Sequence, residues 1–480
     1  IGSTLTAPYF TPEAHPDKSE WFHCSPLHTI VDERLDTPEN KAMKLLTTIT
    51  LLGFSVGFSA TSMFAATGDS ILSMKERSET IDRLLAVRLE TLPAKLMRRE
   101  GINMWVLVAR EYNEDPVVMT MLPGDAHSAR RRTILVFVDE GTHGVKGYAV
   151  SRYAVGDYFQ ARWDPNEQTD QWQALADLIT EKNPTTIGIN VSSEFALADG
   201  LTHGEYERLF GALSDEQESR IVSAEKLAIA WLETRTEEEM EIYPSIVEIA
   251  HNIIADGFSN NIITAGETTT EEVKWWYRDR IRELRLLAWF HPSVSIQREQ
   301  QNTELQGVIL PGDLLHVDFG ITYLRLNTDT QQHAYVLNHG ESEAPSGLRA
   351  GLAISNRLQD ILTENFVLGR TGNEILRSAR AQGIEEDIRP SIYTHPIGYH
   401  GHGAGPTIGM WDNQGDTVGR GDYPLYENTA HSIELNSTVS IPEWGGQDVR
   451  FKLEEDAFFD GKNTYYIDGR QEKLILISSD

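Results

Sequence analysis

Cysteine occurs once in the 480 residues, at Cys24. A single thiol cannot build an intramolecular disulfide framework, nor supply the several thiolates of a structural zinc site. Any metal bound by this chain must therefore use oxygen and imidazole ligands. Positive charge is scarce as well: 42 Lys and Arg face 72 Asp and Glu, for a formal net charge of -30. Nucleic acid and anionic membrane surfaces are bound through clustered cations, so the balance argues against both as partners. No glycine-rich phosphate loop follows any strand-like run, which leaves a nucleotide site without support. Short tandem repeats and low-complexity linkers are also missing. What is present, at 40% hydrophobic and 9% aromatic content, is a globular chain able to bury a large core divided among two or three domains.

The longest charge-free stretch lies early. "MKLLTTITLLGFSVGFSATSMFAATGDS" begins at Met43 with one basic residue and then carries no charge from Leu45 to Ala66. Residues 43–66 read as a secretory signal peptide, with the small residues Ala60, Ser62, Ala65 and Ala66 near the cleavage point, and a membrane anchor is the alternative on length. Residues 1–42, which begin with Ile and contain the only cysteine, read as an extension upstream of the natural start. On this reading the mature protein is cysteine-free, periplasmic or secreted, and not stably inserted in a membrane after cleavage.

Two domains are expected in the remainder. From 70 to 232, strand-like runs (104–110, 133–139, 146–153 and 186–191) alternate with helical ones (76–101, 171–182 and 202–213), which is the signature of an α/β layer fold. The character changes at 233–480. Thr236 and Glu239 stand in capping-box spacing before an amphipathic helix in which Pro244 requires an unusual or kinked turn. Helices near 346–365 and 372–382 and a final strand-rich stretch follow.

Chemistry concentrates in this second part. "HVDFGITYLRLNTDTQQ" places Asp318 and Asp329 eleven positions apart in a hairpin opened by the turn signal "PGD". A lone aspartate is more often a solvated surface residue. Asp318, however, lies inside an apolar strand, where a carboxylate must be paired, hydrogen-bonded or bound to metal. Arg325 is the only cation between the two, so local material for a salt bridge is thin. Further on, "THPIGYHGHGAG" holds His395, His400 and His402 among glycines, "HSIELN" sets Glu434 within a strand, and "KLEED" presents Glu454, Glu455 and Asp456. Each alone is compatible with a satisfied loop or a solvated edge. Four carboxylates around one cavity, however, repel by about 4 kcal/mol per pair at 4 Å and an effective dielectric near 20. Two divalent cations would cancel the charge, and a neutral histidine would complete the shell. With such ligands Mn²⁺ suits best, and Co²⁺, Zn²⁺ or Fe²⁺ are the alternatives.

"VDFG" with a second aspartate eleven residues on, "GHGAG", the strand "IEL" and the terminal "LEED" resemble the pita-bread metallopeptidases, the group of methionine aminopeptidase, aminopeptidase P, prolidase and creatinase. The motifs cover 235–480, and the preceding segment looks like the N-terminal domain of the creatinase, prolidase and aminopeptidase P members. The fold implied is an α/β domain followed by an α+β pita-bread catalytic domain. The ligands implied are Asp318, Asp329, His402, Glu434 and Glu454, with His400 as the runner-up to His402 and with Asp329 and Glu454 bridging two metal ions. Glu434 is in addition the proton shuttle, and His395 is a substrate-side catalytic histidine. The implied reaction is hydrolysis of an N-terminal peptide bond, Xaa-Pro, by a hydroxide held between the metals, with a peptide as substrate and a homodimer as the assembly. Xaa-Pro dipeptidase activity is the nearest alternative, phosphotriester hydrolysis a more remote one, and a metal-free peptide-binding module is the alternative of another class. Retention of all five ligand types argues against the last and against creatinase chemistry.

The pattern departs from its relatives in two places. Aminopeptidase P and prolidase carry a histidine seven residues after the ligand histidine, and counting seven from His402 gives Gly409. They also carry one shortly before the first aspartate strand, and "QREQQNTELQGVILPGD" has none.

Overall fold

The computed structural model describes residues 71–479; the extension 1–42 and the signal-like segment 43–66 lie outside them. In the first half, the helix Met74–Arg99 is set by a complete capping box, in which Ser73 and Glu76 exchange side-chain and backbone hydrogen bonds. The strands are β1 (Met104–Arg110), β2 (Arg132–Asp139), β3 (Val145–Ala149), β4 (Gln160–Ala161), β5 (Ile187–Ile189) and β6 (Ile221–Ser223). They form one sheet in the order β4-β3-β2-β1-β5-β6, antiparallel between β1 and β2 and parallel from β1 to β5 and β6. Both faces are covered, as the continuous apolar run of β1 requires. Trp105, Leu107 and Ala109 pack with the helices Met74–Arg99 and Glu225–Glu233, while Met104, Val106 and Val108 pack with Trp172, Leu175 and Ile179. The third strand is shorter than the sequence suggests and ends at Ala149.

The second half opens with the helix Glu237–Gly257, capped by Thr236 and Glu239. Pro244 lies inside this helix without ending it. The strands are β7 (Ser293–Gln297), β8 (Leu314–Phe319), the short pair β9 (Thr322–Tyr323) and β10 (Leu326–Asn327), and β11 (Thr330–Val336). After the helices Ser346–Glu364 and Gly372–Glu385 come β12 (Pro390–Ile392), β13 (His395–Ile397), β14 (Thr429–Ser432), β15 (Leu435–Ile441), β16 (Gln447–Leu453), β17 (Asp456–Phe459), β18 (Thr464–Tyr466) and β19 (Ile475–Ile477). β19-β11-β8-β7 form one sheet, β12-β15-β16 a second and β13-β14-β17-β18 a third.

The last two sheets are one ribbon bent along a line. Each of three chain segments gives a strand to both: β12 runs into β13, β14 into β15 and β16 into β17. The breaks fall at Tyr393–Thr394, Ile433–Glu434 and Glu454–Glu455. They are held together by bonds across the bend, from Tyr393 N to Glu434 O (3.2 Å) and from Ile433 N to Glu455 O (2.9 Å).

Both halves belong to one compact unit. Arg88, fully buried on the first helix, donates to Thr234 O (2.6 Å), to Glu239 Oε2 (2.8 Å) and to Trp231 O, and its guanidinium stacks over Trp231 and Tyr399. It thereby ties the N-terminal helix to the start of the second half. Among the described residues no helix is long and apolar enough to cross a membrane.

Candidate metal centre

The hairpin β8–β11 fixes the first pair of carboxylates. Its register sets Asp318 opposite Gln331 and His316 opposite His333. Side chains alternate between faces along a strand, so His316, Asp318, Gln331 and His333 share one face, and Asp329, two residues before Gln331, points the same way. Gly320 has no room for a side chain, because a Cβ there would stand 2.5 Å from Thr328 O. Arg325 points away and donates to Leu122 O (2.7 Å) and Pro123 O (2.9 Å) of the first half. The aspartates are left without a cationic partner from their own hairpin.

The bend of the ribbon supplies the rest. Glu434 and Glu454 occupy the breaks between β14 and β15 and between β16 and β17, where a side chain can leave the pleat of either sheet. His395 opens β13 in register with Ser432, which is in turn opposite Asp456. His395 Nε2 lies 3.2 Å from Glu454 Oε1, 3.7 Å from Asp329 Oδ2 and 3.8 Å from Glu434 Oε2. Donor atoms fall within 4.8 Å of one another in three overlapping groups: Asp318, Asp329 and Glu454; His395, Glu434 and Glu454; Asp329, His395 and His402. Every site residue expected from the sequence is therefore gathered in one place.

The two histidines both offer a donor atom to these groups but differ in setting. His395 is buried among the carboxylates, whereas His402 is exposed on a glycine loop. That loop turns through Gly398, Gly403 and Gly405, whose φ values of 156°, 84° and 138° suit glycine. The His402 ring meets the edge of His395 at 4.4 Å and of Trp289 at 5.1 Å. Counting seven residues from His395 gives His402, so the histidine spacing that fails at Gly409 is met when the count starts on the strand. His400 lies apart, near Arg235; burial and that guanidinium push its pKa down to about 4.

Burial and mutual repulsion dominate the electrostatics. Asp318 is pushed up to about 7 by burial and by Glu454. Burial, followed by Glu454 and Asp318, raises Asp329 and Glu434 well above the ordinary carboxylate range. Asp329 Oδ1 is buried without a hydrogen-bond partner among the described residues. His402 has exposed surface, but desolvation of its ring and the neighbouring His395 push it down to about 4, which keeps its imidazole neutral. Clustered oxygen donors, an orphaned carboxylate oxygen and adjacent imidazoles together fit a divalent cation.

A supporting shell escaped the sequence reading. Gln331 Nε2 donates to Glu434 Oε1 (3.0 Å) and Glu454 Oε2 (2.6 Å), while its Oε1 lies 2.8 Å from His316 Nε2. Ser432 Oγ donates to Glu454 Oε1 (2.7 Å). His251, on the helix Glu237–Gly257, sits 2.8 Å from both Glu455 Oε2 and Asp468 Oδ2. Burial opposes a charge on His251, but those two carboxylates outweigh it and push its pKa up to about 10. Gln331 could have been found by counting two residues along the strand from Asp329; nothing in the local sequence marks His251.

No family model and no curated protein matches the sequence. Solved structures match in shape. The X-Pro aminopeptidase of Thermotoga maritima MSB8 is 19% identical with a TM-score of 0.56, over 80% of this chain and 99% of that one. An Xaa-Pro dipeptidase from Bacillus anthracis is 17% identical with a TM-score of 0.52, over 84% and 100%. The prolidase of Pyrococcus horikoshii OT3 is 16% identical with a TM-score of 0.50, over 83% and 100%. At these identities the likeness is one of fold: the chain has the architecture of the X-Pro aminopeptidase and prolidase structures, an α/β domain followed by a pita-bread domain.

Proposed function

We propose that the protein is a metal-dependent aminopeptidase that hydrolyses the N-terminal bond of Xaa-Pro peptides. The observation that carries this is the gathering of four carboxylates and two imidazoles, from the hairpin, the bent ribbon and the glycine loop, into three overlapping donor groups. Asp318, Asp329, Glu434 and Glu454 would hold two Mn²⁺ ions, and His395, inside the carboxylate set, takes the histidine place in the ligand shell. His402, on the rim, then faces the substrate. Bound ions would supply Lewis acidity, polarising the scissile carbonyl and acidifying water for attack at neutral pH.

The chain's own groups do the rest. Glu434, reached by Gln331 on one oxygen, has its second oxygen available to take a proton from the attacking water and pass it to the leaving amine. Gln331 and Ser432 fix Glu454 so that its carboxylate orientation survives the reaction cycle. His402, neutral near pH 7, can accept or donate one hydrogen bond to the peptide at the mouth. The test is release of the N-terminal residue from Xaa-Pro dipeptides, longer Xaa-Pro peptides and proline-free controls by Mn²⁺-dialysed protein, with bound metal measured on the same sample. Turnover of the longer Xaa-Pro peptides with about two metals per chain is expected. Turnover of dipeptides alone would make it a prolidase, and metal without any turnover would sink the reading.

A further inference from the structure

A groove of about 440 Å³ leads away from the metal centre over the β12-β15-β16 sheet, with Glu434 at its inner end. Its floor is set by strand register. Glu434, Asn436 and Thr438 alternate outward along one chain segment, and two rows cross them: Ser391–Asn436–Lys452, then Arg389–Thr438–Arg450. Trp411, largely exposed, forms one wall. In a chain of net charge -30, this groove carries three cations. Two are already neutralised: Arg389 makes a two-pronged pair with Asp448 (2.7 and 2.7 Å), and Lys452 pairs with Glu304 (2.8 Å). Arg450 has no carboxylate partner among the described residues, and its guanidinium is left for a ligand.

Spacing says what that ligand is. Four residues of strand from Glu434 to Thr438 advance roughly 13 Å. An extended leaving dipeptide covers roughly 7 Å from amine to carboxylate, and the long side chains of Glu434 and Arg450 span the remainder. We propose that the groove binds the leaving part of a short peptide and that Arg450 pairs with a carboxylate two residues past the scissile bond, the C-terminal carboxylate of an Xaa-Pro-Yaa tripeptide. This rests on the peptidase reading of the centre. A volume of 440 Å³ suits a small ligand and excludes a folded chain.

The experiment compares Ala-Pro-Ala, Ala-Pro-Ala-amide and Ala-Pro-Glu-amide as substrates for the Mn²⁺-loaded full chain, for Arg450→Gln and for Arg450→Lys. Calorimetric binding of the products Pro-Ala and Pro-Ala-amide runs alongside and needs no turnover. The free acid is expected to show a KM about tenfold below that of the amide, as one charge-assisted contact warrants. Arg450→Gln should erase the difference, with the loss in KM, and Arg450→Lys should restore part of it. Recovery with Ala-Pro-Glu-amide would assign the carboxylate to a side chain instead of the chain terminus and overturn the tripeptide assignment. Equal KM values for acid and amide in the unaltered protein, or an undiminished preference in Arg450→Gln, would overturn the role of Arg450. A product-binding preference without turnover of any peptide would overturn the peptidase reading alone.

Discussion

His395 and His402 are neighbours in space and opposites in setting, so single substitutions separate their roles. His395→Ala removes an imidazole surrounded by three carboxylates within 4 Å. It is expected to lower bound metal below one ion per chain and kcat/KM by more than about 100-fold, since a ligand is lost and not only its support. His402→Ala should retain metal and lose about 10- to 100-fold in kcat/KM, the usual size of a general acid–base or orienting contribution. Metal content by mass spectrometry and peptide kinetics on both variants check this, and the reverse pattern would return the ligand role to His402. Which carboxylates come together was legible in the sequence because Asp318, Asp329, Glu434 and Glu454 interrupt apolar strands, where an uncompensated carboxylate has no place. Which histidine lies among the carboxylates was not. "GHGAG" carries the ligand-like glycines, yet the sheet register that fixes His395 beside Ser432 is a tertiary fact, absent from the local pattern.

Among the elements, the helix Glu237–Gly257 matters beyond its packing, because His251 clamps the strand segment that follows Glu454. Glu455 is buried and shares its other oxygen between Gln332 and the Gln471 backbone. His251→Ala leaves that buried charge without its cation, and a loss of about 3–5 kcal/mol in urea unfolding is expected. His251→Gln, which restores one hydrogen bond without charge, should lose less; equal losses would show that the charge is immaterial. The helix itself was legible from its capping box and apolar period, and the strands from their alternation. The bend was not, since nothing in "HSIELN" announces that its pairing passes from one sheet to another at Glu434.

Across the whole molecule, the halves meet at a buried acid. Glu233 ends a first-half helix, accepts a hydrogen bond from Tyr423 OH (2.8 Å), and would be struck at 2.9 Å by any side chain on Gly405 of the histidine loop. Burial pushes its pKa up to about 8 from an ordinary 4.5, against the opposing pull of Tyr423 and Arg99. The folded protein therefore keeps a proton on Glu233 that the unfolded chain releases, and stability falls as pH rises between about 4.5 and 8. Glu233→Gln should flatten that part of the profile, gaining melting temperature relative to the parent at pH 8 and little at pH 5. Parallel melting curves from pH 5 to 9 would contradict it.

The donors of the candidate metal centre span the chain from Asp318 to Glu454. During synthesis the two aspartates leave the ribosome while the glutamates that complete the cage are still untranslated. An ion that needed all four carboxylates could therefore be held only after Glu454 has been made. A transcript cut short before codon 454 would lack Glu454 together with β17, β18 and β19, which complete two of the sheets.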